Sequence, residues 1–86
     1  MNVFTTFLKR LRVEVTDDQR YIDVEYQPDH PDALYDICDT NGRILKTGKF
    51  TGQRVRVAVN DLIDSAYVFL VLDGEHIRSR RFTIER

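Results

Sequence analysis

Cysteine is nearly missing from this 86-residue chain. Cys38 stands alone, so no disulfide closes within the chain and no cysteine-based zinc site can be assembled from it. A reactive thiol needs a cationic neighbour and exposure; neither is visible around Cys38, which reads as a small core residue. Tryptophan is absent, and both prolines fall in one short stretch, Pro28 and Pro31. The only histidines are His30 and His76. No apolar run approaches the ~20 residues that a bilayer-crossing helix needs, so membrane insertion by a helix is excluded. Residues 1–12 do not read as a signal peptide, because Lys9 and Arg10 interrupt Phe4, Phe7, Leu8 and Leu11 and no small-residue cleavage site follows. Net charge is −1, which gives no global pull toward nucleic acid or anionic lipid.

What remains is a single small domain. It is organised around residues 55–72. Val55, Val57 and Val59 alternate with Arg56, Ala58 and Asn60, a period of two that makes one side of a strand apolar. Turn formers occupy 60–65. Ala66 to Leu72 is then a run of seven apolar residues, too short for a helix and rich in β-branched and aromatic side chains. It reads as the central, most buried strand.

Upstream, Leu11, Val13 and Val15 alternate with Arg12, Glu14 and Thr16, and Ile22, Val24 and Tyr26 alternate with Asp23, Glu25 and Gln27. These are two half-buried strands joined by a turn at Asp17-Asp18-Gln19. The Pro28–Asp32 loop ends the pairing, since proline donates nothing to a ladder. Ala33–Asp39 and Arg43–Phe50 read as a hairpin whose Asn41-Gly42 suits positive φ. Asp73-Gly74-Glu75 turns into a last strand, Ile77–Ile84. About seven short strands with turns between them predict an all-β fold, an antiparallel β-sandwich of immunoglobulin-like type. Only Phe4, Phe7, Leu8 and Leu11 carry helical spacing, which suits a short N-terminal helix over residues 1–10 or an irregular lead-in to the first strand.

From Leu34 onward the chain resembles the C-terminal sorting domain of cargo proteins exported by the type IX secretion system of Bacteroidetes. Ile37-Cys38-Asp39-Thr40-Asn41-Gly42-Arg43-Ile44-Leu45 is similar to that family's hydrophobic-Tyr-Asp-x-x-Gly-Arg-hydrophobic element, with Cys38 at the usual aromatic position. Thr51-Gly52 stands at the family's turn, and Val55 to Leu62 resembles its alternating strand ending in Asp-Leu. Ser65 to Val71 resembles the family's Gly-x-Tyr and the alternating apolar strand after it, with Ser65 for the glycine. Arg80-Arg81-Phe82-Thr83-Ile84 resembles its basic final strand. The resemblance implies an immunoglobulin-like sandwich, no catalysis, no cofactor, and recognition by secretion machinery at the outer membrane.

Candidate sites are few. Arg78, Arg80, Arg81 and Arg86 form the densest basic cluster. It reads as charge protecting an edge strand from further pairing, or as a contact surface for a protein partner. Nucleic-acid binding would want interleaved exposed aromatics, and only Phe82 is near. The Phe4, Phe7, Leu8, Leu11 stripe packs on an open edge of the sandwich or docks a partner or a second copy. The acidic loops holding Asp17, Asp18, Asp29 and Asp32 lack the spacing of a calcium loop, and the tyrosines fall mostly on the core face rather than on a sugar-binding platform. A triad of histidine with Ser65 or Ser79 lacks an oxyanion hole or nucleophile elbow in the sequence. The function expected is therefore a non-enzymatic protein-interaction module, with a freestanding adaptor or homodimer, or a sugar- or calcium-binding module, as alternatives. If Met1 is the native start the expected location is the cytoplasm; for a trimmed sorting domain it is outside the cell or at the outer membrane.

Overall fold

The computed structural model describes residues 10–86. The helical spacing at Phe4, Phe7 and Leu8 lies outside the described residues. Seven strands occur in the order β1 (Arg12–Val15), β2 (Tyr21–Glu25), β3 (Leu34–Asp39), β4 (Ile44–Lys49), β5 (Arg54–Ala58), β6 (Ser65–Asp73) and β7 (His76–Ile84). They form two antiparallel sheets, β1-β2-β5 and β4-β3-β6-β7. The chain crosses between the sheets three times, after β2, β4 and β5, so the two layers are laced together as a β-sandwich.

Alternation writes the core. Ile22 and Val24 of β2, Val57 of β5, Ile37 of β3, and Tyr67, Phe69 and Val71 of β6 all point between the sheets and are buried. Ring pairs fill the core: within the four-stranded sheet Tyr67 stacks on Phe82 at 5.6 Å between centroids and Tyr35 on Phe69 at 5.2 Å, and Tyr26, just after β2, meets Phe50, just after β4, edge-on at 6.0 Å. The Tyr67 hydroxyl donates to the Ile63 carbonyl at 2.6 Å, four residues upstream at the entry to β6. This is the tyrosine corner of immunoglobulin-like sandwiches, and it satisfies a phenol buried by its own ring packing.

Three turns fall where the sequence places them, and the structure adds what holds each one. In the β3–β4 hairpin the turn proper is Asp39–Gly42, closed by Gly42 N–H donating to the Asp39 carbonyl at 3.0 Å. Asn41 keeps an ordinary φ, and only Gly42, at φ 84°, is left-handed. The Asp39 carboxylate accepts from the Asn41 and Arg43 amides, each at 2.9 Å, so the acid rather than the asparagine shapes the loop. In the β1–β2 turn Gln19 adopts φ 61°, a left-handed residue without a glycine to ease it. At the β6–β7 turn Asp73 pairs with His76 inside the ladder, leaving only Gly74 and Glu75 outside it, with Gly74 at φ 61°.

The expected central strand is also the most buried of the seven. The apolar run 66–72 is central, between β3 and β7, but it is buried on one face only. Tyr67, Phe69 and Val71 enter the core, whereas Ala66, Val68, Leu70 and Leu72 are half-exposed on the outer side of the sheet. A continuous apolar run is the mark of a strand covered on both faces; here no second layer covers the outer one among the described residues.

Candidate functional site

The two outer faces of the sandwich differ in chemistry. On the three-stranded sheet the registers Arg12↔Glu25, Asp23↔Arg56 and Glu25↔Arg54 set opposite charges side by side, while Glu14↔Asp23 brings two acids together between Arg12 and Arg56. Arg56 makes a two-pronged contact with Asp23 at 2.7 and 2.9 Å, Arg54 meets Glu25 at 2.9 Å, and Arg12 reaches Glu14 at 3.0 Å and Glu25 at 3.5 Å. Arg56 also lies over the exposed ring of Tyr21, 5.2 Å from its centroid. The Arg56 hydrogen bond, reinforced by its charge against modest desolvation, holds the Asp23 carboxyl below the usual range. A depression of about 540 Å³ lies on this face, but the charges lining it already pair with each other. Such exposed pairs contribute little stability. They make a strongly hydrated surface.

The four-stranded sheet is the opposite. Its outward rows come from the ladder: Leu34 beside Leu72 beside Ile77, then Asp36 beside Leu70 beside Ser79, then Cys38 beside Val68 beside Arg81. Ile44, across from Cys38, extends the last row onto β4. Leu34 is 44% exposed and Ile44 and Ile77 are each 59% exposed. Cys38, although on this outer side, is buried among its neighbours. Burial and then the nearby charges of Asp36 and Asp39 push its thiol up, away from the reactive thiolate.

Of the arginines singled out in the sequence, only Arg78 and Arg80 share a side of the sandwich. Arg78 and Arg80 lie on the inward-pointing side of β7, opposite Val71 and Phe69, and Arg81 points outward beside Val68. Arg80 Nε donates to the Leu11 carbonyl at 2.9 Å, fastening β7 to the start of β1. Arg86 reaches the far end of the sandwich, where its guanidinium donates to the carbonyls of Leu62 (2.6 Å), Val59 (2.9 Å) and Gln19 (3.0 Å) and to the Asp64 carboxylate (3.3 Å). Phe4, Phe7 and Leu8 lie outside the described residues.

A buried polar centre escaped the sequence reading. Asp73, read there as a turn residue, is 0% exposed at the end of β6. Its Oδ2 accepts from the Asp29 amide at 2.8 Å and the Tyr26 hydroxyl at 3.1 Å, and its Oδ1 accepts from the His30 amide at 3.0 Å. The His30 ring meets the same Oδ1 through Nδ1 at 2.9 Å. Burial alone would push this carboxyl up; the hydrogen bonds from the Asp29 amide, the His30 ring, the Tyr26 hydroxyl and the His30 amide outweigh it and hold it down at about 2. An ionised carboxylate only accepts, so the ring hydrogen of a neutral His30 sits on Nδ1. Tyr26 answers in the other direction: burial, with the Asp73 hydrogen bond and charge, pushes its phenol up to about 12. An oriented Asp–His pair is two-thirds of a triad, but among the described residues no hydroxyl or thiol hydrogen-bonds the ring. Nor do three or more His, Cys, Asp or Glu side chains among the described residues converge as a metal cage. The cluster is a clamp that ties the 28–31 loop to the β6–β7 hairpin. Its only sequence signal was an acid directly after a long apolar strand.

No protein-family model and no curated protein matches the chain.

Proposed function

We propose that this chain is a non-enzymatic protein-interaction module whose contact surface is the outer face of β4-β3-β6-β7. The observation that carries this reading is the half-exposed apolar row of β6, flanked by Leu34, Ile44 and Ile77, opposite a sheet carpeted with paired charge. Soluble domains leave large contiguous apolar patches bare mainly where another molecule covers them. A photo-crosslinking side chain at Ile77, with one at Glu14 as the opposite-face control, tests it in living cells. Protein adducts at position 77 but not at 14 are the expected result; equal capture at both, or none at 77, removes the reading.

The resemblance to type IX sorting domains supplies the candidate partner, the secretion machinery at the outer membrane. The immunoglobulin-like sandwich supports the same reading without being specific to it. Residues 1–86 fused behind a periplasm-directed passenger in a type IX-competent host would carry the passenger to the cell surface. Retention in the periplasm would leave an interaction module of another system, an adaptor or a homodimer.

A further inference from the structure

We infer that the partner on this face is a second copy of the same chain, packed sheet to sheet about a two-fold axis that runs along β6. This rests on the reading of the four-stranded face as a contact surface and deepens it by naming the occupant.

Charge selects the partner. Asp36, on β3, lies beside Leu70, and Arg81, on β7, lies beside Val68. They are on opposite sides of β6 and one inward–outward repeat apart along it. Two strand spacings of ~4.8 Å and one repeat of ~6.7 Å separate their backbones by roughly 12 Å within one chain. Neither forms an ion pair among the described residues, whereas every arginine on the outer face of the other sheet is paired. A two-fold along β6 exchanges the two sides. It lays β3 over the partner's β7, so that each Asp36 and an arginine at position 81 in the other copy, about one repeat apart along the strands, point toward each other into the ~10 Å gap between the sheets, twice by symmetry. The apolar row of β6 then meets itself along the axis, the isologous arrangement that closed dimers require.

Size agrees. Four strands of up to nine residues span roughly 20 by 30 Å, or about 500–600 Å² of projected face before corrugation, the scale of a standard interface with ~800 Å² per partner. Sheets pack ~10 Å apart with their side chains interdigitated, and the half-exposed Val68, Leu70 and Leu72 have the length for it. The continuous apolar run of β6 is thereby explained: in the dimer it is a strand covered on both faces.

Sedimentation equilibrium on the full chain up to about 200 µM tests the inference, with circular dichroism confirming each variant's fold. The expected result is a dimer that Ile77→Arg converts to monomer, with Leu70→Arg as a second variant nearer the axis. Asp36→Arg and Arg81→Asp should each weaken association about tenfold, and the double swap should restore it. A wild-type chain that stays monomeric overturns the inference, as does a dimer indifferent to Ile77→Arg and Leu70→Arg, or a double swap no better than the singles. If removal of residues 1–9 turns a monomer into a dimer, the face is covered by the chain's own beginning, and the second-copy inference falls for the intact protein. A monomer that still gives crosslinks at position 77 to a different protein leaves the interaction module standing and removes only the self-pairing.

Discussion

The carboxylate of Asp73 and the ring of His30 meet at 2.9 Å, although 43 residues separate them in the chain. The contact closes one end of the sandwich. The 28–31 loop crosses from the three-stranded sheet to the four-stranded one, and its prolines leave it few backbone donors of its own. Those it has, the amides of Asp29 and His30, are satisfied by an acid buried at the end of the central strand.

Replacing that acid tests the clamp. Asp73→Asn keeps the shape but presents an amide that can accept from only one side, so two of four donors lose their acceptor. The expected loss is roughly 2–4 kcal/mol, or on the order of 10–20 °C in Tm. The pH dependence has a defined sign. The folded carboxyl titrates near 2, below its ordinary value of 3.8. Its stabilisation is therefore complete above the unfolded value and is lost as pH falls from there through about 2. Urea melts between pH 6 and pH 2 should show a steep acid limb in the wild type and a shallower one in Asp73→Asn. The lowered carboxyls of Asp18, Asp23 and Asp61 add to the limb, but they are exposed and their share fades in high salt. An acid limb identical in both proteins at high salt would mean that Asp73 is not held ionised by its donors.

Gly74 is the second part of the same corner. It adopts φ 61°, and a Cβ there would come within 2.5 Å of His30 Cε1. The ring cannot simply swing away, because Asp73 holds its Nδ1. Gly74→Ala should thus cost left-handed strain of ~1–2 kcal/mol plus the clash, roughly 2–3 kcal/mol together. In a His30→Ala background only the strain remains, so the same substitution should cost about 1–2 kcal/mol. The double-mutant cycle reads the difference directly. Equal costs in the two backgrounds would show that the ring does not lie over the glycine.

Much of this fold is legible in the order of its residues. Period-two alternation in 11–16, 22–27 and 55–60 gave strands with the correct inward faces, because each has one wet side and one dry side. The seven-residue run in β6 carried no such alternation, so periodicity could not show that its outer half is uncovered. Burial depends on what lies across the sheet, and a strand's own sequence does not contain that. Asp73 was hidden for a related reason. Asp-Gly is strong turn chemistry, and nothing local distinguishes an acid in a turn from one held by amides 43 residues away. Alternation along β7 already sets Arg78 and Arg80 on one side and Arg81 on the other, as the structure has them, but nothing local showed that the tail carries Arg86 to another part of the molecule, onto backbone carbonyls far away in the chain.

That division among the arginines gives the last prediction. Arg86 donates to three backbone carbonyls that end β5, begin the turn into β6, and cap the β1–β2 turn at left-handed Gln19. Its planar fork serves acceptors on both terminal nitrogens, which an ammonium cannot reproduce. Arg86→Ala should lower stability by about 1–2 kcal/mol, a fall of roughly 5–10 °C in Tm, and Arg86→Lys should recover little of it. Arg81, outward and unpaired, should give a change within about 0.5 kcal/mol in the monomer when replaced by alanine. Any larger effect of Arg81→Ala should appear only where a second molecule is bound. Thermal melts of both variants at a few micromolar and at a much higher concentration separate the two roles. Arg86→Ala should be destabilised equally at both, while Arg81→Ala should fall behind the wild type only at the higher one. A concentration-independent loss at Arg81 would make it a structural residue of β7 and withdraw it from the contact surface.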